Sequence, residues 1–542
     1  MLLSTNRRLT VAICAIFMLP LPAASAPELV AAPASAALVF THSNGSVGEL
    51  YFPEMTGQGA GALDYDGDGD QDLYLVQGAE LEDQRASDSG DLHDLLLRND
   101  RVAEGVQWVD VTERSGISAE GYGMAVASGD FDGDGLPDLF VGNYGANQLW
   151  RNRGDGTFEP ATQRLVEDDP RWTTAAIFID YDLDGRQDLY VVNYVDYSLD
   201  DPPACYAASS RRDYCGPSGF TPQHDRLLHN VGGGVFEDVS ASSGITAVAG
   251  SGLGIGVLDV EGDGRLELYV ANDGQPNFLW RTGGGRWLDD ALLAGVAVNR
   301  RGEPEASMGV AVGDVDRDGD EDFVVTHLDG ETHTLYINQG DGLFDDRSRE
   351  RGLAAATIRQ TGFGVVWADL DHDGWLDLAV ANGAVRIQER TRGVEAQSPL
   401  AQSNQLFVSR RGELTELPGT AFSQRQEVSR GLVRVDLDND GDHDLLVTNN
   451  AGPARLFLDD RSGGSDWIGL SFGSQSYQRV LAGGSNGERS VVRASSAGSY
   501  ASAADARVLV TGVAHTIEIS HAQLSHTVRL LAPPGGRYLR FP

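Results

Sequence analysis

A nine-residue frame with acids at positions one, three, five and nine and Gly at position six recurs seven times along this chain. The copies are DYDGDGDQD, DFDGDGLPD, DYDLDGRQD, DVEGDGRLE, DVDRDGDED, DLDHDGWLD and DLDNDGDHD. Position one is Asp64, Asp130, Asp180, Asp259, Asp314, Asp369 and Asp436, and position three is Asp66, Asp132, Asp182, Glu261, Asp316, Asp371 and Asp438. Position five is Asp68, Asp134, Asp184, Asp263, Asp318, Asp373 and Asp440, and position nine is Asp72, Asp138, Asp188, Glu267, Asp322, Asp377 and Asp444. Two like charges about 4 Å apart cost roughly 4 kcal/mol at an effective dielectric of 20, so a compact loop holding four of them calls for a cation.

The donor set selects the ion. Alternating carboxylates followed by Gly match the first part of an EF-hand loop, and oxygen-only ligands in a flexible turn favour Ca²⁺. Zn²⁺ would ask for Cys or His, and Mg²⁺ tolerates a many-sided protein cage poorly. An ordinary solvated Asp-Gly turn is the alternative, but a turn alone does not require acids at the same four places each time. The expectation is up to seven structural Ca²⁺ ions. The frames account for 28 of the 80 acidic residues and leave 52 against 41 basic ones, so most of the formal charge of −39 is ligand acidity. Seven Ca²⁺ would leave a net charge of about −25, which gives no basic footprint for nucleic acid. All the basic residues are Arg, which excludes lysine chemistry.

Strand-like runs flank every frame. GIGVLDV and FGVVWADL are examples before it, DLYLVQG and DLLVTNN after it, then a third run such as NQLWRN or HTLYIN and a fourth such as FEDVSASSGI. Alternating and β-branched residues bounded by Gly, Asn and Asp are strand-and-turn chemistry. Four strands per unit of roughly 60 residues is the scale of a β-propeller blade. The chain is therefore read as all-β: a seven-bladed β-propeller over residues 37–460, with a central channel, followed by a small all-β domain over 461–542. The seventh unit lacks a fourth strand, and Ala37–Gly45 (ALVFTHSNG) is expected to supply it and close the ring.

Residues 1–26 read as an export signal: Arg7 and Arg8 precede an apolar run from Leu9 to Leu19, and small residues follow at Ala24–Ala26, with Ala34–Ala36 as an alternative cleavage site. That run falls short of the roughly 20 residues needed to span a bilayer, and no other segment is a candidate. The reading is a secreted, periplasmic or surface-held protein. Cys205 and Cys215 then pair as a disulfide within the longest insertion, Ser198–Asp225, which either caps the fold or binds a partner.

The frames and their flanks resemble FG-GAP or VCBS repeats, as in integrin α-chain propellers. ELYFPEMTGQGAGALDYDGDGDQDLYLVQG, NYVDY and RLLHNVGGGVFEDVS are similar to bacterial homologues of cartilage acidic protein, a family with a C-terminal ASPIC and UnbV domain. In the tail, DWIGLSF and SSAGSYASAADARVLVTG resemble that domain's opening strand and Gly-Ser-Tyr segment, while its Asn-Arg-x-x-Ile-Gly-Ala and Trp-Pro-x-Gly stretches are missing. The resemblance implies calcium binding and extracellular interaction.

The expected function is a calcium-binding module that recognises an extracellular protein or glycan. The alternative is a calcium-dependent polysaccharide lyase or hydrolase. No HExxH, GxSxG or P-loop pattern supports an enzyme, and His224, His229, His327 and His333, the candidates to line a site, read as surface residues. Arg153-Gly154-Asp155 spells an adhesion tripeptide, but NRGDGTF aligns with NVGGGVF and NQGDGLF and reads as a hairpin turn. Trp150, Trp280 and Trp367 fall at strand positions and read as packing.

Overall fold

The computed structural model describes residues 27–81, 92–102, 105–165, 170–283, 286–387, 398–459, 467–472, 478–483, 489–511, 516–520, 528–530 and 536–541. The expected signal segment, residues 1–26, lies outside them. In each unit the acidic frame is the connection between two antiparallel strands. Tyr122–Gly129 runs into Asp130, for instance, and the next strand opens at Asp138. All seven second strands begin at the position-nine acid.

These strands build seven four-stranded antiparallel sheets. The first strands, from Ala60–Leu63 to Ser429–Val435, contact one another in a cycle that returns from the seventh sheet to the first. A separate apolar core fills each space between consecutive sheets. Tyr190 and Val192 meet Leu268 and Val270 between the third and fourth, and Ala60 and Leu75 meet Val433 and Leu446 between the first and seventh. Small residues line the axis because the first strands crowd there. A Cβ on Gly254 would stand 1.9 Å from the Met308 carbonyl oxygen. Trp150, Trp280 and Trp367 lie inside the inter-sheet cores, as their strand positions suggest. Arg153–Asp155 forms the turn of a hairpin, with the Arg153 N–H donating to the Thr157 carbonyl.

The ring closes differently from the sequence expectation. The fourth strand of the seventh sheet is Leu29–Ala31, paired antiparallel with Phe457–Asp459, so the closing strand precedes residue 37. Ala37–Gly45 makes only an isolated bridge at Thr41 to Pro453. Leu29 packs between the sixth and seventh sheets, whereas Ala36 and Phe40 turn into the core between the seventh and the first.

The axis is filled rather than open. From one end a turn at Phe52–Met55 enters, and the Ser198–Asp225 insertion covers it: Phe220 stacks on Phe52 at 5.3 Å, and the Tyr214 hydroxyl donates to Glu54 at 3.1 Å. The insertion is thus a cap, stapled by the Cys205–Cys215 disulfide. From the other end the C-terminal region enters. It forms a three-stranded and a four-stranded sheet around its own core of residues such as Leu470, Val480, Val508 and Ile517. Its Ser495–Asp505 segment, however, reaches into the ring. The Ala62 N–H donates to the Ala503 carbonyl, the Val126 N–H to the Ala501 carbonyl and the Val365 N–H to the Ser499 hydroxyl. Among the described residues, no helix is long and apolar enough to cross a membrane.

Arg430 ties the axis together, with no acidic partner among the described residues. It is fully buried and donates to the carbonyls of Met55, Gly383, Ala384 and Ser429, with its guanidinium 4.0 Å from the Phe363 ring centroid. Arg430→Met should leave those carbonyls unpaired and cost about 3–5 kcal/mol, read as a lower denaturant midpoint.

Two buried carboxyls outside the frames set a pH dependence. Asp94 accepts from the Tyr74 hydroxyl and the Gln77 N–H, and Asp225 from the Tyr190 hydroxyl and the Asn193 N–H. Burial pushes both up to about 7, against an ordinary value of 3.8. Their stabilising contribution is therefore complete below about pH 4 and is lost as pH rises through about 7, by up to about 4 kcal/mol each. The stability of an Asp94→Asn/Asp225→Asn variant, measured relative to the parent in melts from pH 5 to 8, should improve as pH rises. A constant difference would show that neither group titrates in that range.

Candidate metal centres

The seven frames fold into one geometry. In each, the N–H of the position-six Gly donates to Oδ2 of the position-one Asp at 2.9–3.2 Å. Those glycines have φ of 85–100°, a region that strains a side-chain-bearing residue. The position-five acid folds back on the chain and accepts the N–H two residues on, again in all seven. Position four is left-handed as well. It carries Gly67, Gly133 and Gly262 in three frames but Leu183, Arg317, His372 and Asn439 in the others.

Position nine has a second role that its spacing did not reveal. One oxygen of Asp72, Asp138, Asp188, Glu267, Asp322, Asp377 and Asp444 accepts the N–H of the position-two residue. In six frames the other accepts an N–H at the end of the third strand, as from Asn99 to Asp72 at 2.8 Å. This carboxylate, at the start of the second strand, latches the turn to the end of the third strand. Asn99, Asn152, Asn230 and Asn338 go further: each side-chain amide donates to a frame carbonyl of the preceding sheet, as Asn99 does to Leu437 at 2.8 Å. The recurrence of Asn in LLLRN, QLWRN, RLLHN and TLYIN was the available signal.

The acids converge as a cation site needs. Ligand oxygens of Asp64, Asp66 and Asp72 lie within 4.8 Å of one another, as do those of Asp130, Asp132 and Asp138, of Asp180, Asp182 and Asp184, and of Asp314, Asp316 and Asp322. In the fourth, fifth and seventh frames Oδ1 of Asp259, Asp314 and Asp436 is buried without a hydrogen-bond donor. An orphaned carboxylate oxygen beside two or three other acids fits a hard cation and fits an empty solvated turn poorly. Burial, opposed by the latch hydrogen bonds and reinforced by the neighbouring acids, pushes Asp72, Asp138, Glu267 and Asp377 up to about 8. Burial likewise raises Asp314 to about 7 and Asp369 and Asp436 to about 6. At neutral pH the position-nine groups pushed up to about 8 are mostly protonated in the metal-free fold; a divalent cation would hold them ionised.

Position three is where the frames diverge. Asp132 pairs with Arg151, Glu261 with Arg281 at 3.1 Å, Asp316 with Arg351 at 3.1 Å and Asp371 with Arg410 at 2.6 Å. In the third frame a histidine takes this place: His229 Nδ1 lies 3.0 Å from Asp188 and 3.7 Å from Asp182. His327 and His333, read as surface residues, are instead buried, which lowers them to about 4 and about 3 and keeps them neutral. His224 is exposed, with Nδ1 3.0 Å from the Val248 carbonyl oxygen.

The C-terminal region docks on this loop face and touches the position-one acids. The Val491 N–H donates to Asp314 Oδ2 at 2.9 Å, the Tyr538 hydroxyl to Asp436 Oδ2 at 2.6 Å, and the Thr511 hydroxyl to Asp369 Oδ2. The Arg493 guanidinium stands 3.6 Å from Asp259 and 2.7 Å from Glu321. In the fifth and seventh frames the docked groups engage Oδ2 and leave Oδ1 as the orphaned atom.

An all-β ring of repeated sheets with acidic turns defines the class, and sequence comparison agrees. The FG-GAP-like repeat family matches residues 64–141, 130–191, 259–325 and 314–380, so the chain carries FG-GAP-like repeats. It is similar to cartilage acidic protein 1 of Homo sapiens, 25% identical over 448 residues that cover 77% of this chain and 60% of that protein. Cartilage acidic protein 1 of Mus musculus aligns with the same identity over 77% of this chain and 61% of its own length. The chain thus spans about 60% of the length of these curated relatives. Among solved structures, BBS1N in complex with ARL6DN aligns at 11% identity and TM-score 0.43, covering 81% of this chain and 98% of that one. The WD40 beta propeller domain of Doa1 aligns at 11% identity and TM-score 0.35, covering 75% and 95%.

Proposed function

We propose that the chain is an exported, seven-bladed β-propeller whose blade loops bind Ca²⁺ as a structural ion and whose surface binds an extracellular ligand. The seven inter-sheet cores and the cycle of first strands support the blade count. The observation that carries the calcium reading is the repeated loop geometry, with orphaned oxygens on Asp259, Asp314 and Asp436. Held there, the ion would screen acids that otherwise repel, and the converging carboxylates, at positions three and nine in the first, second and fifth frames and at three and five in the third, would contribute to its shell.

Export is supported by the disulfide, which suits an oxidising compartment. Cleavage after Ala26 fits the fold and cleavage after Ala36 does not, because the latter would remove the closing strand Leu29–Ala31. The test is binding of the immobilised mature chain to panels of purified glycans and extracellular proteins, in millimolar Ca²⁺ and in chelator. A saturable, Ca²⁺-dependent ligand supports the reading. Turnover of a panel polysaccharide into shorter products would overturn it in favour of an enzyme.

A further inference from the structure

The C-terminal region does not cover the seven loops alike. It closes over the fourth to seventh, through Arg493, Val491, Thr511 and Tyr538. At the first loop it makes only edge contacts, from Arg507 to the Gly69 carbonyl and from Arg540 to Asp64, and between it and the first and second loops lies a cleft of about 1150 Å³. Asp64 and Gly69 of the first loop and Asp130 and Gly135 of the second line one wall, and Phe472 and Phe541, ring-stacked at 5.4 Å, line the other. Three exposed arginines border it: Arg101 beside the first loop, and Arg537 and Arg540 on the C-terminal side. Arg540, its side chain 65% exposed, lies 3.4 Å from Asp64.

We propose that this cleft binds an acidic oligosaccharide, with the uronate carboxylates directed at the two metal loops and the arginines and a sugar face against Phe541. This rests on the calcium reading above. The bare loop acids would repel an anion, whereas with a divalent cation in each loop the same wall attracts one, and the arginines add charge-assisted donors suited to carboxylates. The half-buried Phe541 gives a sugar ring an apolar surface, which an extended acidic peptide would not need. The cleft is of a size that encloses a small oligosaccharide.

The test is calorimetric titration of trigalacturonate into the Ca²⁺-loaded mature chain, with neutral maltotriose and hexaglutamate as comparisons. Trigalacturonate should bind, maltotriose should not, and an Arg537→Ala/Arg540→Ala variant should lose at least tenfold in affinity while keeping the parent's melting temperature in Ca²⁺. Arg101→Ala supplies a second reading should the double variant fold poorly. A chain that gains thermal stability from Ca²⁺ yet ignores trigalacturonate overturns this proposal and leaves the calcium reading standing. A chain that Ca²⁺ does not stabilise overturns both. Equal affinity for hexaglutamate, or no loss in the arginine variants, also overturns the assignment.

Discussion

Removing Ca²⁺ should lower the melting temperature of the mature chain by about 10 °C. A site with a dissociation constant near 10⁻⁴ M, in the range of extracellular sites, gains about 1.4 kcal/mol in millimolar Ca²⁺, and seven such sites gain about 10 kcal/mol. A ring of about 430 residues unfolds with an entropy near 0.9 kcal/mol per kelvin, which converts that free energy into the stated shift. Millimolar Mg²⁺ should recover little of it, because Mg²⁺ demands near-octahedral geometry and sheds water reluctantly. The loss should grow as pH rises toward 8, where apo carboxyls such as Asp72 and Asp138, pushed up to about 8, begin to ionise in the folded state. Such raised groups contribute stability to the apo fold below about pH 4 and lose it through about pH 8, while the metal-loaded form holds the ionised acids. Scanning calorimetry with and without chelator, at pH 6 and 8, reads both effects.

Tyr500→Ala should be the most damaging single substitution in the C-terminal region. Tyr500 is fully buried on the axis, with its ring edge-on to Phe363 at 4.8 Å and its hydroxyl donating to the Thr56 carbonyl at 3.0 Å. Truncation empties a site among Met55, Met124, Leu253 and Met308 and removes the hydrogen bond. The cavity costs about 3–5 kcal/mol and the unpaired carbonyl about 1–3 more, a drop of roughly 4–8 °C. Tyr500→Phe, which removes the hydroxyl alone, should cost only about 1–2 kcal/mol. Because the segment anchors the C-terminal strands, Tyr500→Ala should also speed proteolysis of the chain beyond residue 494. An unchanged cleavage rate would mean that the docking does not depend on the plug.

The repeated frame made most of the architecture legible: it marks every turn between first and second strands, and the apolar runs beside it mark those strands. What escaped depends on partners distant in sequence. Leu-Val-Ala at 29–31 is too short to signal a strand, and it becomes one because the unpaired edge at Arg455–Asp459 needs a partner. The Phe-containing run at 37–45 looks more strand-like, yet Phe40 is drawn into the core beside the first sheet. The Ser495–Asp505 segment, nearly all Gly, Ser and Ala, falls within the C-terminal domain in the sequence reading, and nothing in it signals entry into the ring. The same smallness lets it enter the crowded axis, where a Cβ on Gly59 would stand 1.8 Å from the Ala501 carbonyl oxygen. Within the frames, the acidic spacing pointed to the converging carboxylates. The latch made by Asp72 and its equivalents depends on third-strand amides some 14–42 residues away, which local spacing does not encode.

The metal content of the mature chain, purified in Ca²⁺, freed of unbound ions by gel filtration, and measured by elemental analysis beside native mass spectrometry, decides whether the seven frames hold Ca²⁺. Close to seven Ca²⁺ per chain, displaced together with stability by chelator, is the expected result. A chain that carries no Ca²⁺ and melts alike in Ca²⁺ and chelator would contradict it, leaving the acidic frames as turns held by their own hydrogen bonds.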